Sequence, residues 1–354
     1  MKPRTSSSAL LLGAIVLLGT ATRASAQADF AIGSLVAKPG TLASGAFDIP
    51  ARGAEVATTI PFSVIHGTKP GPVLAIIAGV HGAEYTPILA LHRLRAAVNP
   101  ATLTGTIVLV HVANMPSFLG RTIYYSPVDG KNLNRVFPGA PNGTVSERIA
   151  DVLTREVIAR ATHVIDAHCG DGNESLRPYS YWTTTGPDAV AAAGKEMALA
   201  AGFDHIVVDR ERPTDPGATV YLSNTAILRG KPAITIESGF LASTDEASVA
   251  AIERAAAGVM RWLGMRPNGP APVAHPVWIE RSEVLRSDVT GMFQPAVERG
   301  HTVAAGTLIG RITDFHGTLL REVRAPFAGE VLYVIATPPI SKGEPLAFIG
   351  QAAH

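Results

Sequence analysis

Between residues 56 and 263 of this 354-residue chain, short apolar runs alternate with amphipathic segments, and that alternation restricts the fold more than any other feature. The apolar runs cover 56–65, 72–80, 105–113, 163–168, 205–208 and 232–237 and predict strands. Helices are predicted at 84–97, 146–160, 187–201, 218–228 and 244–263. Two helix starts carry the spacing of a capping box, Thr144 with Glu147 and Ser243 with Glu246. Strands alternating with helices predict an α/β domain with a sheet buried on both faces. Ligands of such sheets bind beyond the carboxyl ends of the strands. His81, His168 and Glu237 all stand at such ends.

The first residues read differently. Lys2 and Arg4 precede an apolar core from Ala9 to Leu18, and Ala24 and Ala26 flank Ser25. That order predicts a cleavable secretory signal over 1–26, cut after Ala26, and a periplasmic or secreted mature protein. The core is short against the ~20 apolar residues of a membrane span, so no stable span is expected after cleavage. Losing Lys2, Arg4 and Arg23 takes the formal net charge from +1 to −2. A chain so nearly neutral, with no basic block, has no footprint for nucleic acid. Cys169 is the single cysteine, which rules out an intramolecular disulfide and leaves stability to burial.

Composition changes at the Pro-rich stretch 265–276, read as a linker after an α/β domain at 27–264. Beyond it, 277–354 carries only strand and turn signals. Two phrases within it are alike, "ERGHTVAAGTLIGRI" (298–312) and "PPISKGEPLAFIG" (338–350). They predict a small all-β domain of two related halves, similar to the barrel-sandwich fold of lipoyl and biotinyl carriers. Lys342 lies outside the middle hairpin where a carrier holds its group, so an unmodified structural or gating module is expected.

The chemistry concentrates in four places. In "GVHGAEY", His81 and Glu84 are three residues apart where a helix is expected to begin, and two readings compete: a polar helix start, or two ligands of one metal ion. Gly79 and Gly82 bracket the histidine and permit close backbone approach. His168, ending "HVIDAH", can add a third ligand. Glu237, after the apolar run "ITI", reads either as an acid near a helix N-cap or as a general base for water and proton donor to a leaving amine. The polar loop 114–139 offers Arg121, Asn134 and Arg135, the last suited to bidentate contact with a carboxylate. Asp166 shares a strand face with His168 and either orients that imidazole or is a structural partner. Cys169 is expected to be a small buried residue, and His111, in an apolar strand, a core residue.

"GVHGAEY", "NLNRVFPG", "DAHCGD" and "ITIESG", in this order, resemble the succinylglutamate desuccinylase/aspartoacylase family of zinc carboxypeptidase-like enzymes over roughly 55–264. The resemblance implies a mixed sheet flanked by helices, with the C-terminal β-module as a usual companion. It implies one Zn2+ per chain held by His81, Glu84 and His168, with Glu237 as catalytic glutamate. It further implies that Asn134 and Arg135 hold a substrate carboxylate and that Arg121 polarises the scissile carbonyl. Glu174, Arg177 and Tyr179 would shape substrate choice. The chain departs from the family at Asn132, where Asp is frequent.

The expectation is therefore an exported zinc-dependent hydrolase that cleaves the amide bond of an N-acyl amino acid or related carboxylate-bearing substrate. A carboxypeptidase or amidase acting on peptides or cell-wall stem peptides is the alternative within the same site. A non-catalytic zinc-containing binding protein is the third reading, opposed by the retention of Glu237 and the arginines. The expected partner is a small molecule or short peptide; homo-oligomerisation stays open.

Overall fold

The computed structural model describes Met1 and residues 27–353. The expected signal segment lies, but for Met1, outside the described residues. At the centre is a mixed sheet. Its neighbouring strands run, in space, Thr41–Ile49, Thr58–His66, Thr104–Val110, Lys69–Ile77, His163–His168, Ala233–Glu237, Tyr179–Thr183 and His205–Asp209. The middle four are parallel, while Thr58–His66 and Tyr179–Thr183 run against their inner neighbours.

Alternation of side chains divides the core between the two faces of this sheet. Leu74 and Ile76 pack on one face with helices Tyr85–Ala97, Asp188–Ala201 and Glu246–Trp262. Ala75 and Ile77 pack on the other, with Val145–Val152 and Leu222–Ile227. This is the α/β class the sequence predicted. Two of these eight strands escaped prediction. Thr41–Ile49 is an edge strand whose Ala, Ser and Gly content hid its period, yet it pairs with Thr58–His66 along its whole length. Tyr179–Thr183 is short and follows Pro178, but hydrogen-bonds on both sides within the sheet.

Helix starts also moved. Glu84 is the N-cap of helix Tyr85–Ala97 and its side chain caps nothing, so His81 and Glu84 occupy the turn before the helix, not its first turn. The Thr144–Glu147 capping box is present. At the other candidate, Asp245 is the N-cap and accepts from Ser248 N, while Ser243 Oγ donates to Asp245. The helix expected from 218 begins only at Leu222, because Val220 takes a left-handed φ of 69° and bridges to Phe137.

The segment 265–276 carries no helix or strand. Val277–Arg286 then adds to the main sheet, parallel to His205–Asp209, and pairs antiparallel with Pro345–Ala352. A second, antiparallel sheet of Gly291–Pro295, Leu308–Thr313, Leu319–Arg324 and Pro339–Ile340 shares a core with the extended first sheet around Phe293, Ile309 and Ile349. The two similar phrases each fold as short strand, glycine turn and longer strand, with Gly306 and Gly343 at positive φ. This β-module reaches back over the α/β domain. Strand Gly329–Ile335 pairs with Glu174–Leu176, and Leu332, Tyr333 and Phe348 pack with Leu176, Tyr179 and Val207.

His111 is buried against the sheet, its Nε2 2.8 Å from Ser63 Oγ. Burial, with His92 and Arg95 nearby, lowers its pKa to about 4. The native state therefore binds fewer protons than the unfolded chain between the two pKa values, and stability falls as pH drops from about 6.5 to 4. His111→Gln should remove up to roughly 3 kcal/mol of that acid-side loss, as read by urea unfolding at pH 7 and pH 4.5.

Candidate metal centre and active site

Three adjacent parallel strands, Lys69–Ile77, His163–His168 and Ala233–Glu237, end side by side, with Glu237 in register with His168. Beyond Ile77 the chain must turn sharply to place His81. Gly79 does this at φ 68°, and any Cβ there would lie 2.9 Å from Val112 Cα. Gly82 meets backbone more closely still, since a Cβ would stand 2.2 Å from Ser117 O. The apolar strand ends thus deliver an imidazole and a carboxylate to one point, through a turn only glycine fits.

At that point Glu84 lies between two imidazoles. Its carboxylate is 2.8 Å from His81 Nδ1 and 2.9 Å from His168 Nδ1. The other ring nitrogens are held from behind: His168 Nε2 is 2.8 Å from Asp166 Oδ1, and His81 Nε2 is 3.1 Å from Asn132 Oδ1. Ligating atoms of His81, Glu84 and His168 all fall within 4.8 Å of one another. Burial opposes the charge on Glu84, but His168 and His81 outweigh it and bring the carboxyl down to about 2. Buried Glu84 Oε2 lies 2.9 Å from His168 Nδ1 and has no other polar partner among the described residues. Two imidazoles and an ionised carboxylate with their ligating atoms this close fit a divalent metal, and two nitrogen donors with one oxygen suit zinc.

The cluster opens into a cavity of roughly 290 Å³. Glu237 faces it, and burial pushes that carboxyl well above the usual range; His168 pulls it down while Glu84 and Glu174 add to the rise. Glu174 accepts a 2.6 Å hydrogen bond from Tyr124 OH, and burial raises it to about 7. Six of the chain's seven tyrosines line this cavity, so its walls are aromatic with hydroxyl tips. Tyr333 comes from the β-module, as do Val284, Arg286 and Pro345. The module is thus a wall of the cavity within the same chain.

Besides the three cluster residues, Glu237, Asn134, Arg135 and Tyr179 line this cavity, while Arg121 and Arg177 do not. Arg121 is the left-handed C-cap of helix Met115–Gly120 and is exposed. That cap turns the chain so that Tyr124 and Tyr125 reach the cavity in its place. Arg177 bonds instead with Glu330, Asp204 and His205, tying the β-module to the α/β domain. Asn134 Oδ1 accepts from Leu222 N at 2.8 Å, and its Nδ2 points at Asp166 and His168. Its amide is thereby committed to protein partners, while Arg135 donates from Nη1 to Asn134 O at 2.7 Å and keeps its remaining N–H groups for a ligand. Cys169 is buried, as expected, and is not among the residues of the His81–Glu84–His168 cluster. Residues the sequence left unmarked are Tyr124, Tyr221, Arg212 and Tyr333. Only the fold gathers them; the loop 210–221, rich in Pro, Asp and Arg, was the available signal.

A mixed α/β sheet whose adjacent strand ends gather a His-Glu-His cluster beside a buried carboxylate is an arrangement that could hold a metal ion for hydrolysis. The chain belongs to the succinylglutamate desuccinylase/aspartoacylase family: the family's catalytic-domain model matches residues 70–263. It is 27% identical, over 84% of its length and 87% of the relative's, to an N-alpha-acetyl-L-2,4-diaminobutyric acid deacetylase of Halomonas elongata. Its fold is similar to the product-bound ectoine utilization protein EutE (DoeB) from Ruegeria pomeroyi, with TM-score 0.77, 27% identity, and coverage of 88% of this chain and 95% of that one. A succinylglutamate desuccinylase/aspartoacylase from Rhodobacter sphaeroides shares the fold at TM-score 0.75 and 23% identity, over 88% of this chain and 96% of that one.

Because Gly82 packs on the Ser117 carbonyl, Gly82→Ala should displace the His81–Glu84 turn. We expect the purified variant to remain folded by circular dichroism, yet to carry less than about a tenth of the wild-type zinc by elemental analysis, as the loss of ligand alignment predicts.

Proposed function

We propose that the protein is a zinc-dependent deacylase that hydrolyses the amide bond of an N-acyl amino acid. The observation that carries this reading is Glu84 shared between the Nδ1 atoms of His81 and His168, with Glu237 in register beside it. Support comes from the family, and from relatives whose names specify deacetylation of an N-acetyl amino acid and ectoine utilization. His81, Glu84 and His168 would hold one zinc ion. Zinc there would polarise the amide carbonyl and make a water molecule acidic enough to attack it near neutral pH.

The protein's own groups do the rest. Asp166 and Asn132 fix the two imidazoles so that Nδ1 of each faces Glu84. Glu237 accepts a proton from the attacking water and returns it to the leaving nitrogen, a task that suits a carboxyl of raised pKa. Arg135 binds the carboxylate of the amine portion and so fixes the amide's position. Tyr333 and the other rings exclude bulk water around the reacting bond. We read residues 1–26 as an export signal, which places this chemistry outside the cytoplasm.

Glu237→Gln keeps the size of the side chain and removes its base. Turnover should fall by about 100- to 10,000-fold while zinc content stays that of wild type. Steady-state hydrolysis of N-acetyl amino acids, paired with elemental analysis, checks both. Unchanged turnover would remove Glu237 from the mechanism.

A further inference from the structure

With Arg121 turned away, the cations on the cavity wall are Arg135, Arg212 and, at the rim, Arg286. Arg212 is the least exposed of them, its side chain 14% exposed. It donates from Nε to Asp209, and among the described residues its two Nη atoms have no hydrogen-bond partner. Its guanidinium stacks 3.8 Å from the centre of the Tyr221 ring, and that of Arg135 lies 4.7 Å from the same centre. Two planar forks therefore share one aromatic platform, and among the described residues Asp209 is the one carboxylate paired with either of them. Arg135 Nη1 donates to Asn134 O at 2.7 Å; the Nη groups of Arg212 on the cavity wall have no protein acceptor among the described residues and stay open to one from a ligand.

The platform is held firmly. Val220, a β-branched residue at a left-handed φ of 69°, is kept there by reciprocal bonds with Phe137, 2.8 Å and 3.3 Å long. Such conformations persist where surrounding contacts enforce them, and they cluster at ligand sites. The fully buried Asn224 donates to Pro213 O at 2.8 Å and Thr219 O at 2.9 Å, closing the loop that carries both Arg212 and Tyr221. A second cleft of roughly 590 Å³ adjoins the first and shares Arg135, Arg212, Tyr221 and Arg286 with it. The arginine pair thus stands at the junction of a catalytic chamber and a wider space.

We propose that Arg212 is a specificity-determining residue that joins Arg135, over Tyr221, in a two-guanidinium clamp for the carboxylate on the amine portion of the substrate. This rests on the N-acyl amino acid reading and deepens it. The clamp holds the carboxylate at the junction, the amide points inward to Glu237, and the amino-acid side chain has the outer cleft to occupy. A substrate whose carboxylate is masked as an amide loses both forks. Guanidinium geometry matters here as well as charge, because a fork can contact both oxygens of a carboxylate while an ammonium cannot.

The test compares wild type, Arg212→Ala and Arg212→Lys on an N-acetyl amino acid and its carboxamide, with folding checked by thermal melting. Wild type should prefer the acid, and Arg212→Ala should cut that preference about tenfold or more, chiefly through KM. Arg212→Lys should fall between them. A second arm needs no turnover: calorimetric titration with succinate and with its diamide, which has no carboxylate. Wild type should bind succinate more tightly, and Arg212→Ala should lose the difference. Succinate selectivity that disappears in Arg212→Ala, in an enzyme that turns over neither substrate, keeps the clamp and discards the hydrolase reading. Equal losses on acid and carboxamide, or a wild-type preference retained in Arg212→Ala, overturn the clamp.

Discussion

The buried carboxylate of Glu84, set between two imidazoles, is the contact on which the rest of the site depends. Removing a carboxylate from water is costly, and the neighbouring histidines offset that cost. The geometry is built from the backbone outward. Adjacent parallel strands bring His168 and the turn after Ile77 together, and the glycine turn lets His81 and Glu84 approach. Asp166 and Asn132 then orient the rings. At His81 the orienting group is a neutral amide, so this imidazole has a weaker partner than His168, which faces an ionisable carboxylate.

The second constraint is the union of two domains around one cavity. The sheet passes without interruption from His205–Asp209 into Val277–Arg286, and Gly329–Ile335 pairs with the segment that carries Glu174. Arg177 reinforces this seam through Glu330 and Asp204. The C-terminal module is built of antiparallel strands, as its strand and turn signals predicted. Lys342 remains exposed in its glycine turn, and it is Tyr333 that reaches the chemistry.

Much of this was legible in the sequence, for physical reasons. Strands buried on both faces are apolar throughout, so 163–168 and 232–237 stood out, and the polar residues that end them marked the site. Thr41–Ile49 was hidden because an edge strand needs fewer apolar residues. The start of helix Leu222–Ile227 was hidden by a strained Val220 that no local rule anticipates. Arg121 and Arg177 show the limit of reading side chains from loops. One is redirected by a left-handed helix cap and the other serves the domain seam, and neither fact is local in sequence. Arg212 and Tyr221 lie far from the other motifs and meet Arg135 only in three dimensions.

The central claim is that the His81–Glu84–His168 cluster holds a metal that drives amide hydrolysis. The most direct measurement is mass-spectrometric detection of products from a panel of N-acyl amino acids, incubated with the purified protein with zinc and with a chelator. The account predicts release of a free amino acid and its acyl acid, abolished by the chelator and restored by zinc. Product formation that is indifferent to the chelator, or its absence from zinc-loaded protein across the panel, would contradict it.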